Sequence, residues 1–576
     1  MRRTLARVAG IFLFALTLLP AHAQGVGESE VSAQTVEQRA RALTGKHQWQ
    51  SLADLLRPVE PRSANLEFLY GTALAHLDRW DEAERAFASG RGKAPADERF
   101  PVELAGVAFH FKHYPRAARL LRSALRLDPH DGYANEFLAT VYYLEGNLPA
   151  ALKYWNRVGK PQVADIRQDP PLQVDQALLD RAFVFAPQSQ MRLRDYLDTR
   201  TRLDGLGIFP QFKVELPARD DGRFDAVLRA QELNGLGNSP WPVAAALAVG
   251  LPFQSVRMDA YNLCEKAINF TAFYRWDAQK RRIEAHLSLP LKQHADLRWN
   301  FGLELRGENW EVRDSFTGPA PLLGSLNLRR EAVRFDLISH ASDRLQWSAG
   351  GELSHRDFRS VVAGPALTTQ LLADGYELKQ IARVESVFWR VPERRFSLSG
   401  SASSQAARLW SRSPETFEKL SGSLGWNWLP LSQSFDYAMK QTLNAGKTWG
   451  TIPFDELTML GLERDNGLPM RGHIGTRDGK KGSAPLGRDY LLSNWEMDKK
   501  LYSNGIVSLQ IGPFIDMGTI SDSNAVLGSH KWLCDVGGQT KFRVFGRGIA
   551  FSYGKDLRTG NNAFYVSILS RAAALE

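Results

Sequence analysis

From about residue 280 the chain alternates. Ile283, Ala285, Leu287 and Leu289 are separated by Glu284, His286 and Ser288, and Leu297, Trp299, Phe301, Leu303 and Leu305 by Arg298, Asn300, Gly302 and Glu304. Val333, Phe335 and Leu337 alternate with Arg334 and Asp336, and Leu345, Trp347 and Ala349 with Gln346 and Ser348. A period of two sends the two sets to opposite faces of a β-strand. Polar residues at every second position suit a strand with lipid on one side and a polar lumen on the other. A soluble sandwich would bury the same apolar face, so alternation alone leaves both architectures open. At roughly 21 residues per strand and connection, residues 237–576 predict a transmembrane antiparallel β-barrel of about 16 strands, each crossing with about 9 to 11 residues.

The front of the chain has a different period. Ala83, Ala117 and Ala151 are 34 positions apart, and so are Pro95 and Pro129. This is the tetratricopeptide (TPR) period, and it predicts an α-helical solenoid over 24–160. Leu69, Tyr70 and Gly71 open one unit, with Ala83 and Phe87 in its second helix; Ala117, Leu121 and Ala124 belong to the next, and Leu138, Ala139, Tyr142, Ala151 and Trp155 to a third. Small residues let helices approach while large ones fill the gaps, so each hairpin buries its face only against a neighbour. A degenerate unit around Trp49, Ala53 and Leu56 caps the stack. Such a solenoid offers a concave face to a peptide or protein; His110, His113 and Asp131 read as solvated polar residues rather than as a metal site.

Pro161, Pro170 and Pro171 mark a boundary. Beyond it come an apolar stretch over 177–185, taken as a strand, a helix over 188–206, and strands over 212–216 and 224–228 joined by an Asp221-Gly222 turn. This order of strand, helix, strand, strand over 161–236 resembles a POTRA module, the periplasmic unit that precedes assembly-type barrels. Its exposed strand edge would accept an extended client by strand addition.

Arg2, Arg3 and Arg7, the apolar run 8–19 and Ala21-His22-Ala23 form a secretory signal peptide, 1–23. After it, no stretch reaches the roughly 18 to 20 apolar residues of a spanning helix. Membrane residence would therefore require strands, because lipid tolerates only helices and closed barrels. The net charge of +9 is spread along an exported chain and carries no nucleic-acid reading. Cys264 and Cys534 read as unpaired.

The last hundred or so residues carry the candidate site. Leu468-Pro469-Met470-Arg471-Gly472-His473 precedes Phe514-Ile515-Asp516-Met517-Gly518, and Ser552-Tyr553-Gly554-Lys555-Asp556-Leu557-Arg558 precedes Asn562-Ala563-Phe564-Tyr565-Val566-Ser567-Ile568. These motifs resemble the long sixth extracellular loop and closing hairpin of the BamA, TamA and two-partner-secretion superfamily, the bacterial surface antigen barrels. The resemblance implies that the loop folds into the lumen, with Arg471 beside Gly472 pairing with Asp516 and Glu496, and that Phe564, Tyr565, Val566 and Ile568 form the assembly strand. It further implies residence in the bacterial outer membrane with the N-terminal domains in the periplasm. The partners would be the lipid bilayer, a client outer-membrane or secreted polypeptide, and periplasmic accessory proteins bound through the repeats.

The chain departs from the family at Met470, where an aliphatic residue is usual, at His473, where an aromatic one is, and in a tail, 570–576, past the final strand. No cofactor is implied and no enzyme is read: Ser552, Asp535 and His530 lie close in sequence without a nucleophile elbow or metal-ligand spacing. The alternative is a repeat-plus-barrel exporter of polysaccharide or another polymer, which would need an open, charged pore.

Overall fold

The computed structural model describes residues 25–238, 241–292, 294–411, 415–430, 437–503, 507–528, 531–544 and 547–569. The signal peptide, His530 and the tail 570–576 lie outside them. The chain divides into two compact units, Met1–Ala134 and Asn135–Glu576.

The first unit is helical, with α1 (Gly25–Gly45), α2 (Trp49–Leu56), α3 (Ala64–His76), α4 (Trp80–Lys93), α5 (Arg99–His110) and α6 (Tyr114–Leu127). Its core is apolar: Leu52, Leu74, Phe87 and Phe100 are fully enclosed. Two glycines set the helix approach. A Cβ on Gly71 would lie 2.6 Å from the Phe87 ring, and one on Gly90 would meet Phe100. Ser63 caps α3 by accepting a hydrogen bond from the Leu66 amide. His110 stacks on Trp80, with ring centroids 4.1 Å apart.

The second unit begins within α7 (Gly132–Leu144) and continues through α8 (Leu148–Trp155), β1 (Val163–Gln168), α9 (Gln176–Ala182), α10 (Leu193–Leu206), β2 (Gln211–Glu215) and β3 (Phe224–Gln231). The three strands form one sheet in the order β1, β3, β2, with β1 parallel and β2 antiparallel to β3. The stretch expected as the first strand, 177–185, is mostly helix α9, and the strand is β1. Leu178, Leu179 and Ala182 are buried at helical spacing, which a strand could not place on one face. This small module meets one end of the barrel. Asp343 donates its amide to Asp198 at 2.7 Å, and Asn269 donates to the Leu206 carbonyl at 2.8 Å.

The barrel wall is built from β4 (Ser255–Leu263), β5 (Ile268–Trp276), β6 (Lys280–Leu291), β7 (His294–Arg313), β8 (Leu322–Ser339), β9 (Leu345–Val362), β10 (Gly375–Val391), β11 (Phe396–Trp410), β12 (Glu415–Trp428) and β13 (Tyr437–Gly450). After a long loop, 451–488, containing the two-residue strands β14 (Thr458–Met459), β15 (Thr476–Arg477), β16 (Lys480–Lys481) and β17 (Leu486–Gly487), the wall resumes. It continues with β18 (Asp489–Ser503), β19 (Val507–Ser521), β20 (Leu533–Val544), β21 (Arg547–Asp556) and β22 (Asn562–Leu569).

Among the described residues the closed ring comprises seventeen strands, of which β15 and β16 belong to the loop and fifteen long strands form the wall, where about sixteen were expected. Before the first of them, α11 (Trp241–Gly250) packs against β4. Consecutive wall strands pair antiparallel, β13 with β18 included. An odd number then makes β4 and β22, neighbours in the ring, run in the same direction. They close the ring as hydrogen-bonded neighbours, while β22 pairs with β21 and β4 with β5 along their lengths.

The wall inverts the usual distribution of polarity. Val333 is 57% exposed and Phe388 62%, while Arg356 and Glu377 are 0% exposed. Apolar side chains outside and charges inside are what a strand needs between lipid and a polar lumen. Among the described residues, no helix is long and apolar enough to cross a membrane. Cys264 and Cys534 are free.

Candidate functional site: a loop anchored in the lumen

Strands β13 and β18 pair directly, so the 451–488 loop between them must leave the wall. It turns inward and reaches the opposite side, where Lys481 in β16 pairs with Trp310 in β7. Charged groups fix it at three places.

The first is the arginine motif. Arg471 donates from Nε to Asp516 Oδ2 at 2.8 Å and from Nη2 to Oδ1 at 2.6 Å, a bidentate pair. Its backbone amide donates to the same carboxylate at 2.9 Å. Nη1 donates to Glu496 at 3.2 Å and to Gln539 at 2.9 Å, and the guanidinium lies 3.8 Å from the Phe514 ring centroid. The structure thus brings together Arg471, Asp516 and Glu496. Local register explains why: Asn494, Asp516, Asp535 and Asp556 are successive partners across β18, β19, β20 and β21, so these side chains form one inward-facing row.

The same register accounts for the three residues around the arginine. Met470 is fully buried among Leu460, Leu492, Ile520 and Leu533, where an unbranched thioether fills an irregular apolar gap. Gly472 donates its amide to Asp535, and a Cβ there would sit 2.6 Å from the Asp535 carboxyl carbon. Gly554 leaves room for the Arg471 carbonyl, which a Cβ would approach to 2.3 Å. His473 places Nδ1 3.1 Å from Asp535 and Nε2 3.5 Å from Asp556. Asp535 and Ser552 are therefore lumen residues, and sequence reasoning missed the link from Asp535 and Asp556 to His473, because it depends on the register of three strands.

The second anchor lies near the start of the loop. Asp455 and Glu456 enter a basic nest in which Glu456 is 2.6 Å from both Lys379 and Lys419, and Asp455 is 3.1 Å from Arg356 and 3.2 Å from Arg330. Arg356 also pairs with Glu377 at 2.7 Å. In the third, Glu463 is 3.4 Å from Lys280, Asp465 is 3.3 Å from Arg282, and Lys481 is 2.7 Å from Glu308. The basic residues come from inward positions of β6, β8, β9, β10 and β12.

At β22, Phe564 and Ile568 are exposed on the outer face, and Tyr565 and Val566 are half-buried.

No protein-family model and no curated protein matches the sequence. Among solved structures the chain is similar to BamA from Haemophilus ducreyi lacking POTRA domains 1-3, at 11% identity over 71% of this chain and 85% of that one, with a TM-score of 0.41. CdiB from Escherichia coli matches at 12% identity over 71% and 75%, with a TM-score of 0.45. MamA matches at 14% identity over 23% of this chain and 79% of its own, with a TM-score of 0.22. The barrel is defined by its own strand order and register, independently of these similarities.

Proposed function

We propose that this chain is an outer-membrane β-barrel of the BamA/TamA type that assists insertion or translocation of client polypeptides, with its N-terminal domains in the periplasm. In this reading residues 24–160 are TPR-like repeats that gather clients or accessory proteins, 161–236 is a POTRA-like module with a strand edge, and 237–576 is the barrel. The observation that carries the reading is the loop held across the lumen by Arg471, Asp516 and Glu496 on the strands that lead to the closing seam. A lumen crossed by a triply anchored loop suits a barrel that handles clients at its wall better than an open polymer pore. No bond chemistry is assigned to it.

The test is Arg471→Ala in living cells, scored by loop order and by client levels in the outer membrane. The expected outcome is a mobilised loop with fewer assembled clients. Unchanged loop order with unchanged client levels would overturn the assignment.

A further inference from the structure

Three neighbouring wall strands carry their outward charge at one end. The turn between β10 and β11 is held by α8 through Glu393 and Lys153, so β11 starts at the module end with Phe396 and finishes at the opposite rim with Trp410. β12 returns from that rim, and β13 reaches it again at Gly450, where the lumen loop begins. Outward positions alternate with the buried Ala407, Leu409 and Phe417. At the module end they are the uncharged Phe396, Trp426 and Trp428; at the rim they include the exposed Trp410 and Trp449. On β12, Trp428 pairs with Phe396 and Glu418 with Trp449, and the about 10 residues between those levels are the length that crosses a bilayer. Two aromatic rows at that spacing belong at the two interfaces of a membrane.

Two cations sit just inside the rim row. Arg408 lies 5.8 Å from the Trp410 ring centroid and Lys447 5.7 Å from that of Trp449, and both are exposed. The lumen cations Arg356 and Lys379 are paired with acids; among the described residues neither Arg408 nor Lys447 is. Arg408 also borders a groove of about 530 Å³ on the outer face, lined by Leu378, Gln380, Ala406, Thr416, Glu418 and Trp449. The groove opens where Ala406 and Thr416 are small beside the larger Leu378 and Trp449.

We propose that Arg408 and Lys447 bind the headgroup phosphate of an anionic phospholipid, whose acyl chain lies in the groove. The inference rests on the membrane reading of the barrel. A cation on the lipid face is tolerated near the interface rather than at mid-bilayer, and there it meets headgroup phosphates. Arg408 presents a planar fork that matches phosphate oxygens, and Lys447 a compact point charge. Thr416 and Gln380 add a hydroxyl and an amide donor on the groove wall. With Glu418 in the groove, two cations and one carboxylate leave the site a net charge of +1, which suits a phosphodiester of one negative charge.

The experiment uses the full mature chain refolded into detergent, with heat-modifiable gel mobility verifying the fold of each variant. Native mass spectrometry reads the lipid retained on titration with phosphatidylglycerol or with phosphatidylcholine of the same acyl chains. The expected result is one phosphatidylglycerol held at a several-fold lower concentration than phosphatidylcholine. This preference should vanish in the double variant Arg408→Gln with Lys447→Gln. It should persist in Arg329→Gln, whose arginine is paired with Glu331 on another part of the wall, and rise in Glu418→Gln. Soluble glycerol phosphate should leave the lipid in place. Equal retention of the two lipids, or a preference that survives in the folded double variant, overturns the proposal. Displacement by glycerol phosphate overturns it in favour of a free-anion site, and a folded barrel that retains neither lipid overturns the membrane reading as well. If the double variant does not fold, Glu418→Gln decides, since a preference unchanged or weakened there contradicts the site.

Discussion

The helical unit and the barrel solve opposite problems with the same residues. In the helices, Phe87 and Phe100 are enclosed and arginines such as Arg41 lie outside; in the barrel, Val333 and Phe335 lie outside while Arg356 and Glu377 are sealed within. The helical core is held by non-directional apolar burial, which tolerates a change of shape at moderate cost. The lumen is held by desolvated charges that need each partner in place. A residue's contribution therefore follows from its surroundings rather than from its type.

The contrast breaks most visibly at the basic nest. Arg356→Met removes the cation 2.7 Å from Glu377 and 3.1 Å from Asp455, leaving them Lys379 at 3.3 Å and Arg330 at 3.2 Å, and should lower barrel stability by up to about 3–5 kcal/mol, the cost of breaking a buried pair. The midpoint of heat-modifiable gel mobility measures it, and an unchanged midpoint would place these charges in water. On the outer face, Phe335→Arg should cost about 2–4 kcal/mol in lipid vesicles, the penalty for a cation facing the bilayer core. The same change made at the exposed Phe111 of the helical unit should be near neutral, and urea titration of both variants compares them. Gly472→Ala forces a methyl group against Asp535 and should cost about 1–3 kcal/mol, as overpacking does.

The smallest effect lies where the module meets the barrel. Glu393, in the turn between β10 and β11, accepts hydrogen bonds from Lys153 at 2.6 Å and Tyr154 at 2.9 Å, while Asn147 caps α8 and donates to the Pro392 carbonyl. Burial pushes the Glu393 carboxyl up, but those two donors and the Lys153 charge hold it below the ordinary value. A lowered carboxyl contributes stability above its ordinary range and loses it as pH falls through the lowered value. Protection of the 392–394 turn from proteolysis should fall on acidification in wild type and show no such dependence in Glu393→Gln.

Much of this organisation was legible. Wall strands announce themselves because a strand with one apolar and one polar face carries apolar residues at every second position, as at Ile283 to Leu289 in β6. Arg471, Glu496 and Asp516 were legible from motif likeness and charge. Strand β1 was hidden because Val163–Gln168 is polar along half its length, and the nearby Leu178-Leu179 run drew the strand assignment to a helix. The anchors at Asp455, Glu456, Glu463 and Asp465 depend on where a loop crosses the lumen, which no local pattern encodes.

The central claim is that the 451–488 loop closes the lumen and that Arg471 holds it there. Conductance of the purified barrel in a planar bilayer tests this directly. The expected result is little current through wild type and a several-fold rise, with frequent openings, in Arg471→Ala. A wild-type barrel that already conducts as a steady open pore, or an Arg471→Ala barrel as quiet as wild type, would contradict it.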